Sequence, residues 1–366
     1  MATFDAIVIG LGGMGSAAAA HLAARGRRVL GLEQYQPAHA LGSSHGRSRV
    51  IRLAYFEHPS YVPLLLRAYE LWEKLERDSG RSLLTITGGL MIGAPDSEVV
   101  SGSLRSAQTH ALAHEMLDAA EIRRRFPPFT PSAGDVAFYE KRAGVIRPEE
   151  AIHAHLGEAV RHGADLRFDE RVVEWQAQPS GAVEVRTTRG RYQAARLVIA
   201  PGSWASEMFK LALPLEIEPQ VLYWFDPKGG AAAFAADRFP IYIWDLGRGV
   251  QFYGFPAEDD GRVKVAFFRS PQKDEETMRL ALRPHLPSLA DGTVVASVTC
   301  KYTLTPDHHF VIGLHPGHRQ VVIASPCSGH GYKFAAVVGE ILADLAIAGT
   351  TRHPIGLFSP TRFAPQ

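Results

Sequence analysis

Near its start the chain carries a run that leaves the fold little freedom. Phe4-Asp-Ala-Ile-Val-Ile9 is short, apolar and β-branched, and Gly10-Leu-Gly12-Gly-Met-Gly15 follows it directly. The alanine-rich stretch from Ser16 to Arg25 predicts a helix with Gly26 placed to cap it, and Arg28-Val-Leu-Gly-Leu-Glu33 predicts a second strand ending in an acid. A β-turn-α-β unit with GxGxxG in the turn and a carboxylate closing the second strand is a dinucleotide-binding pattern. Gly10 permits the tight turn, Gly12 lets the backbone approach a pyrophosphate, and Gly15 allows close helix–strand packing. The helix N-terminus offers free N–H groups and a positive dipole end to phosphates. Glu33 can accept hydrogen bonds from a ribose diol and would repel a 2′-phosphate. Glycine is common here, 34 residues, so the bare motif is weak. The strand before it, the helix after it and the acid beyond make this instance strong.

Composition removes several classes. Lys plus Arg number 39 against 38 for Asp plus Glu, so no electrostatic case exists for nucleic acid or an anionic membrane as partner. No apolar run approaches the roughly 20 residues of a membrane span. Met1-Ala-Thr-Phe-Asp5 lacks the basic and apolar stretches of a secretion signal, so a cytoplasmic location is expected. Two cysteines, Cys300 and Cys327, make neither a disulfide scaffold nor a four-ligand zinc site. A chain of 366 residues has room for about two domains.

Further along, Pro59–Ser79 predicts a long amphipathic helix with Val62, Leu65, Leu66, Tyr69, Leu71 and Trp72 on its apolar stripe. Leu84–Ile92, Arg171–Trp175 and Arg196–Ala200 read as strands, the last running into Pro201-Gly202-Ser203-Trp204. Ile241–Phe255 and Arg262–Phe268 are expected to pair antiparallel in a separate sheet. Gln320–Ala324 is a buried strand that leads through Ser325-Pro-Cys-Ser-Gly329-His-Gly331 into a helix over Tyr332–Ala348. One strand–turn–helix unit opens the chain and another nearly closes it. Both ends are therefore expected to build one dinucleotide domain, with a second domain inserted between them.

Two apparent motifs carry little. Gly42-Ser-Ser44-His-Gly46 matches the GxSxG elbow of serine hydrolases, but Gln36-Pro-Ala-His-Ala precedes it where a strand is required. A loop of Gly, Ser and His followed by Arg47, Arg49 and Arg52 suits a cofactor or an anion better. Three arginines so close together cannot share one face, so at least one is expected at the surface. His308 and His309 would face opposite sides of a strand, and His315 with His318 forms HxxH. No carboxylate or thiolate cluster completes a metal set around them.

Four segments taken together resemble the monomeric sarcosine oxidase and N-methyltryptophan oxidase family. They are Gly10–Gly15, Gly42-Ser-Ser-His45-Gly-Arg-Ser-Arg49-Val-Ile-Arg52, Cys300-Lys-Tyr302-Thr-Leu-Thr-Pro-Asp307-His-His-Phe310, and Ser328-Gly-His-Gly-Tyr-Lys333-Phe. The similarity runs from residue 4 to about residue 363. It implies an α/β fold with a Rossmann-like FAD-binding domain over 1–80, 143–215 and 301–366. A substrate domain on an antiparallel sheet is then expected over 81–142 and 216–300. It further implies FAD held covalently by a cysteine thioether, oxidation of the C–N bond of a small secondary amino acid, dioxygen as acceptor, and a monomer.

Carried onto this sequence, the resemblance makes Cys300 the flavin-linked cysteine and Cys327 a small core residue. Arg52 and Lys333 match the pair that holds the substrate carboxylate, and His45 and Arg49 match residues over the flavin ring. Lys264 matches the lysine credited with activating oxygen. Tyr253 and Tyr302 match the aromatic walls of the substrate cavity, where Trp244 and Phe268 are expected as well. Cofactor contacts are expected at Gly10, Gly12, Gly15, Glu33, Ser43, Ser44, Val172, Gly202, Trp204, Gly329, Gly331 and Lys333. The chain departs from the pattern in two places. Phe268 stands where sarcosine-type members carry a histidine, and one residue is inserted between Trp244 and Tyr253. Both changes fall in the substrate cavity and leave the identity of the amine open. A nicotinamide-dependent dehydrogenase and a non-catalytic FAD-binding protein remain alternative readings of the first βαβ unit.

Overall fold

The computed structural model describes residues 3–326 and 328–363. The first strand, β1 (Thr3–Ile9), leads into helix α1 (Gly13–Ala24) and strand β2 (Val29–Leu32), which lies parallel to β1. On its other side β1 runs parallel to Arg191–Ile199. The far end of Arg191–Ile199 pairs in parallel with His318–Ser325, so the late strand does return to the opening unit. These strands belong to an eight-stranded sheet that Asp165–Arg167 closes beside β2. Parallel strands buried on both faces need helices above and below, and α1 supplies one at very short range. A Cβ built on Gly15 would fall 1.7 Å from the carbonyl oxygen of Gly10, and one on Gly339 2.5 Å from the Cβ of Ala17. The second contact presses the late helix Ala335–Ala348 onto α1.

A second eight-stranded sheet runs Thr293–Leu304, Glu216–Asp226, Val263–Arg269, Gln251–Ala257, Ile241–Asp245, Gly89–Gly93, Val136–Glu140, Glu115–Asp118. Most of its neighbours are antiparallel. A small third sheet of β3 (Arg49–Ile51), Gly144–Ile146 and Leu84–Ile86 lies apart from both. Helix α2 (Val62–Ser79) follows a short 3-10 turn at Pro59–Tyr61 and ends at Gly80, whose φ of +67° suits glycine. It buries Val62, Leu65, Tyr69, Leu71 and Trp72 at about 1.5–3 kcal/mol for each large side chain. Leu66 was expected on that stripe and instead faces solvent.

The structure corrects four local readings. Leu84–Ile92 is not one strand: the chain turns at Gly88, φ +74°, and its halves join different sheets. Ile241–Phe255 is a hairpin of two strands, because Gly247, Arg248 and Gly249 all take positive φ and reverse the chain. His308 and His309 lie in the turn after Thr293–Leu304 and not on a strand. Tyr332–Phe334 forms a 3-10 turn before the helix proper begins at Ala335. Cys327 lies outside the described residues.

Candidate active site

Helix α1 begins without a side-chain cap, since Gly12 at its N-cap offers none. Its first N–H groups therefore face the turn, and the Gly13 N–H donates to Ser44 Oγ at 3.3 Å. A Cβ on Gly13 would reach 2.7 Å from the Tyr332 ring, so bulk at this turn is excluded. Glu33 is buried with its carboxylate accepting the N–H groups of Leu11 (2.9 Å) and Tyr35 (3.1 Å). It thus braces the glycine turn as well as facing the cavity, a duty the spacing alone does not reveal.

One long cavity starts at this turn. Gly10, Gly12, Glu33, Ser43, Ser44, Val172, Gly202 and Trp204 line its first half. Arg49, Arg52, Tyr253, Phe268, Cys300, Tyr302, Gly329, Gly331 and Lys333 line its second. Residues from segments spread along the whole chain meet there. Gly15 does not reach the cavity and serves packing alone. His45 and Lys264 sit just behind the wall, both buried, and His45 Nε2 has no hydrogen-bond partner.

Trp244 is misplaced by the sequence reading. Ile243 pairs across the hairpin with Tyr253 and Trp244 with Phe252, and cross-strand partners share a face. Tyr253 faces the cavity, so Ile243 does too, while Trp244 turns away to pack on Phe129, Phe252 and His285.

The three arginines part as their spacing requires. Arg47, φ +64°, points outward to Glu258 and Asp260, both at 2.9 Å. Arg49 turns inward, donates to the carbonyls of Ser48 and Ser43, and brings Nη2 to 4.0 Å from Cys300 Sγ. Arg52 is 1% exposed and gives Nη2 to both Glu57 oxygens (2.8 and 2.6 Å) and Nη1 to the Ala54 carbonyl. Its Nε has no partner. Burial opposes ionisation of Glu57, but the charges of Arg52 and Lys333 and the hydrogen bond from Arg52 hold the carboxyl below its ordinary range.

Lys333 is buried and pushed down to about 7 by desolvation and then by Arg52. Its Nζ donates to the His330 carbonyl at 2.6 Å and to the Tyr55 oxygen at 3.4 Å. Lys264 is fully buried on a central strand, so it is no edge-strand surface lysine. Its Nζ donates to the carbonyls of Gly46 and Ser48, each at 2.7 Å, and lies 4.3 Å from the Phe255 ring centre. Desolvation, then Arg49, lowers it well below an ordinary lysine, with Glu258 and Glu149 opposing. Burial likewise raises the phenols of Tyr253 and Tyr302. Phe268 packs edge-on to Phe56 at 6.1 Å, and a Cβ on Gly329 would come 3.2 Å from its ring.

Sequence reasoning missed four residues here: Tyr55, Glu57, Glu149 and His330. Glu57 had a faint signal, an acid in the apolar run that follows a buried arginine. Glu149 Oε1 accepts the N–H groups of Gly46 and Arg47 and so holds the loop that Lys264 grips from its other side. No metal-binding cluster exists among the described residues, and His315 and His318 simply stack at 4.9 Å. Gly42–Gly46 is a loop without the strand and helix that a nucleophile elbow needs.

An uncapped, glycine-lined helix start, a buried carboxylate facing the cavity and a cavity continuing to a second chemical end together suit an extended dinucleotide with a reactive ring. Residues 5–345 match the family of FAD dependent oxidoreductases, and the chain belongs to that family. It is 53% identical to a monomeric sarcosine oxidase of Streptomyces avermitilis, over 99% of this chain and 98% of that protein. It is 32% identical to an N-methyl-L-tryptophan oxidase of Salmonella enteritidis, over 99% of each. Among solved structures, NikD, an amino acid oxidase essential for nikkomycin biosynthesis, superposes with a TM-score of 0.85 at 25% identity and covers 98% of each chain. These relatives give no support to the nicotinamide-dependent reading. No helix among the described residues is long and apolar enough to cross a membrane.

Proposed function

We propose that this protein is an FAD-dependent oxidase of secondary α-amino acids of the N-methyl or cyclic kind, with the flavin attached through Cys300. Bound FAD supplies the acceptor for a hydride equivalent from the substrate and then the electrons that reduce dioxygen. Across one turnover the amine loses two electrons and two protons, and dioxygen takes them up as hydrogen peroxide. The imine adds water, and an N-methyl substrate then yields formaldehyde and the free amino acid.

The protein's own part is to bind, orient and exclude water. Arg52 Nε and the third Nζ hydrogen of Lys333 are donors without partners, and two cations suit a carboxylate entering an apolar pocket. The same positive charges disfavour a protonated amine, which favours the neutral form needed for oxidation. Phe56, Tyr253, Tyr302 and Phe268 wall the site, and a dry site strengthens each charge interaction. Lys264 is assigned to the oxygen step, where an ammonium held in place beforehand stabilises negative charge developing on dioxygen. The carbonyls of Gly46 and Ser48 and the carboxylates of Glu149 and Glu258 support its charged form. A monomer accords with the name of the most similar relative cited, and a cytoplasmic setting suits a chain with one of its two cysteines assigned to the cofactor.

The observation that carries this reading is the meeting of Cys300, Arg52 and Lys333 on one cavity that begins at the dinucleotide turn. A peroxide-coupled screen of sarcosine, other N-methyl amino acids, proline and pipecolate tests it. Peroxide is expected with at least one of them, and flavin-loaded enzyme silent toward all would refute the proposal. Acid-precipitated wild-type protein should stay yellow, while Cys300→Ala should release its flavin to the supernatant. A colourless wild-type pellet would reject the covalent link alone.

A further inference from the structure

The carboxylate pair poses a problem of its own. Arg52 and Lys333 carry like charges, both are buried, and each must aim a free hydrogen at one anion. We propose that Tyr55, seated behind the cavity wall and oriented by His330, is the positioning residue that aims both cations. This rests on the assignment of Arg52 and Lys333 to the substrate carboxylate.

Hydrogen-bond partners fix the arrangement. His330 Nε2 lies 3.0 Å from the His308 carbonyl, which can only accept, so Nε2 carries the ring hydrogen. Burial pushes this imidazole down to about 3, so it is neutral and Nδ1 presents a bare lone pair. The Tyr55 hydroxyl is 2.6 Å from Nδ1, the shorter of its two contacts, and donates there, with the His330 carbonyl at 3.1 Å as a second acceptor. With its hydrogen so placed, the phenol oxygen can turn a lone pair toward Lys333 Nζ, 3.4 Å away, while the His330 carbonyl takes a second ammonium hydrogen. Two of the three hydrogens are thereby directed away from the cavity. The Lys333 backbone is also pinned, because Trp72 Nε1 donates to its carbonyl at 2.8 Å.

The other cation rests on the same tyrosine. The Arg52 guanidinium carbon stands 4.2 Å from the Tyr55 ring centre and 4.3 Å from that of Phe56. One residue that does not line the cavity therefore touches both carboxylate-binding groups, its ring under one and its oxygen beside the other. Around Lys333, Arg52 and Arg49 are positive, Glu57 is negative, and Tyr55 and His330 are neutral. The phenol oxygen is thus a neutral acceptor favouring the ammonium form, which burial and two arginines oppose.

The test uses flavin-loaded enzyme and propionate, a carboxylate with no amine to oxidise, followed by its perturbation of the flavin absorbance across pH. Wild-type affinity should fall as pH rises through the point where free Lys333 loses its proton. Tyr55→Phe keeps the ring under Arg52 and removes only the hydroxyl. It should weaken propionate about tenfold, as loss of a hydrogen bond to a charged group does, and move that pH midpoint downward. For an oxidisable substrate KM should rise while kcat changes little. Tyr55→Leu removes the ring as well and should weaken binding further. If Tyr55→Phe does not give folded protein, Tyr55→Leu, which also lacks the hydroxyl, should shift the midpoint the same way. Unchanged affinity and midpoint in Tyr55→Phe, with Lys333→Met weakened, would overturn the proposal alone. Undiminished binding in Lys333→Met would remove the carboxylate assignment and the proposal with it.

Discussion

At the nucleotide end of the cavity the protein presents backbone: an uncapped helix start, glycines too crowded to carry side chains, and a single carboxylate that also braces the turn. At the ring end it presents side chains, with four cations, a cysteine and aromatic walls brought from segments far apart in sequence. The first end recognises what every dinucleotide shares. The second, under the proposed function, is where reaction and substrate are chosen. Recognition by backbone is spread over many N–H groups, so losing any one side chain there should matter moderately. At the ring end the charges are few and buried, so a single deletion should be severe.

That contrast can be broken by measurement. The largest effect is expected for Arg52→Ala, which leaves the substrate carboxylate buried without its guanidinium partner. Breaking a buried charge pair costs roughly 3–5 kcal/mol, so kcat/KM for a carboxylate substrate should fall by at least about a hundredfold. An amine lacking the carboxylate should lose far less, and equal losses for both would show that Arg52 holds the fold and not the substrate. Next comes Lys264→Met, which keeps length and removes charge. Reoxidation of reduced flavin by dioxygen, followed by stopped-flow absorbance, should slow by about 10²–10³, with anaerobic reduction by substrate much less affected. In wild type the same reoxidation should slow as pH rises, because the depressed lysine loses its proton on the way up. Reoxidation that is indifferent to both the mutation and pH would end the oxygen assignment.

A smaller effect is expected at the nucleotide end. Glu33→Gln, made in a Cys300→Ala background so that affinity is measurable, should weaken FAD by about one to two powers of ten, the scale of a hydrogen bond to a charged group. A loss as large as that at Arg52 would erase the contrast between the two ends. Smallest of all should be Phe268→His. It replaces an apolar wall that packs on Phe56 and should shift the kcat/KM ratio of a cyclic or bulky substrate against sarcosine by a few-fold, toward sarcosine. A panel in which the ratio stays fixed would make Phe268 a packing residue.

The same contrast explains what could be read in advance. The βαβ unit was legible because strand, glycines, helix and acid are contiguous, and each has a local physical reason. The ring end was legible only through resemblance, since no spacing rule connects Arg52 to Lys333. Trp244 was misjudged because face is set by strand parity, and the hairpin register that pairs Ile243 with Tyr253 is not written in the residues themselves. Tyr55 and His330 gave no signal because one tyrosine and one histidine have no period. Leu84–Ile92 failed for a similar reason: an apolar run does not reveal that its two halves belong to different sheets.

The contact between Ala17 and Gly339 has a consequence for how the molecule is made. Ribosomes deliver about 5–20 residues each second, so β1, α1 and β2 emerge long before the helix Ala335–Ala348 that covers the back of α1. Through that interval the alanine face of α1 lacks its cover, and the turn that contributes Lys333 does not yet exist. A flavin nucleotide meeting the nascent chain in that interval finds a cavity still without the turn that carries Gly329, Gly331 and Lys333. Closure of the cavity around a flavin nucleotide is therefore expected only after that turn has been made. A chain cut short before Gly339 keeps its first helix uncovered, a lesion that cellular proteases acting on exposed apolar segments are suited to remove.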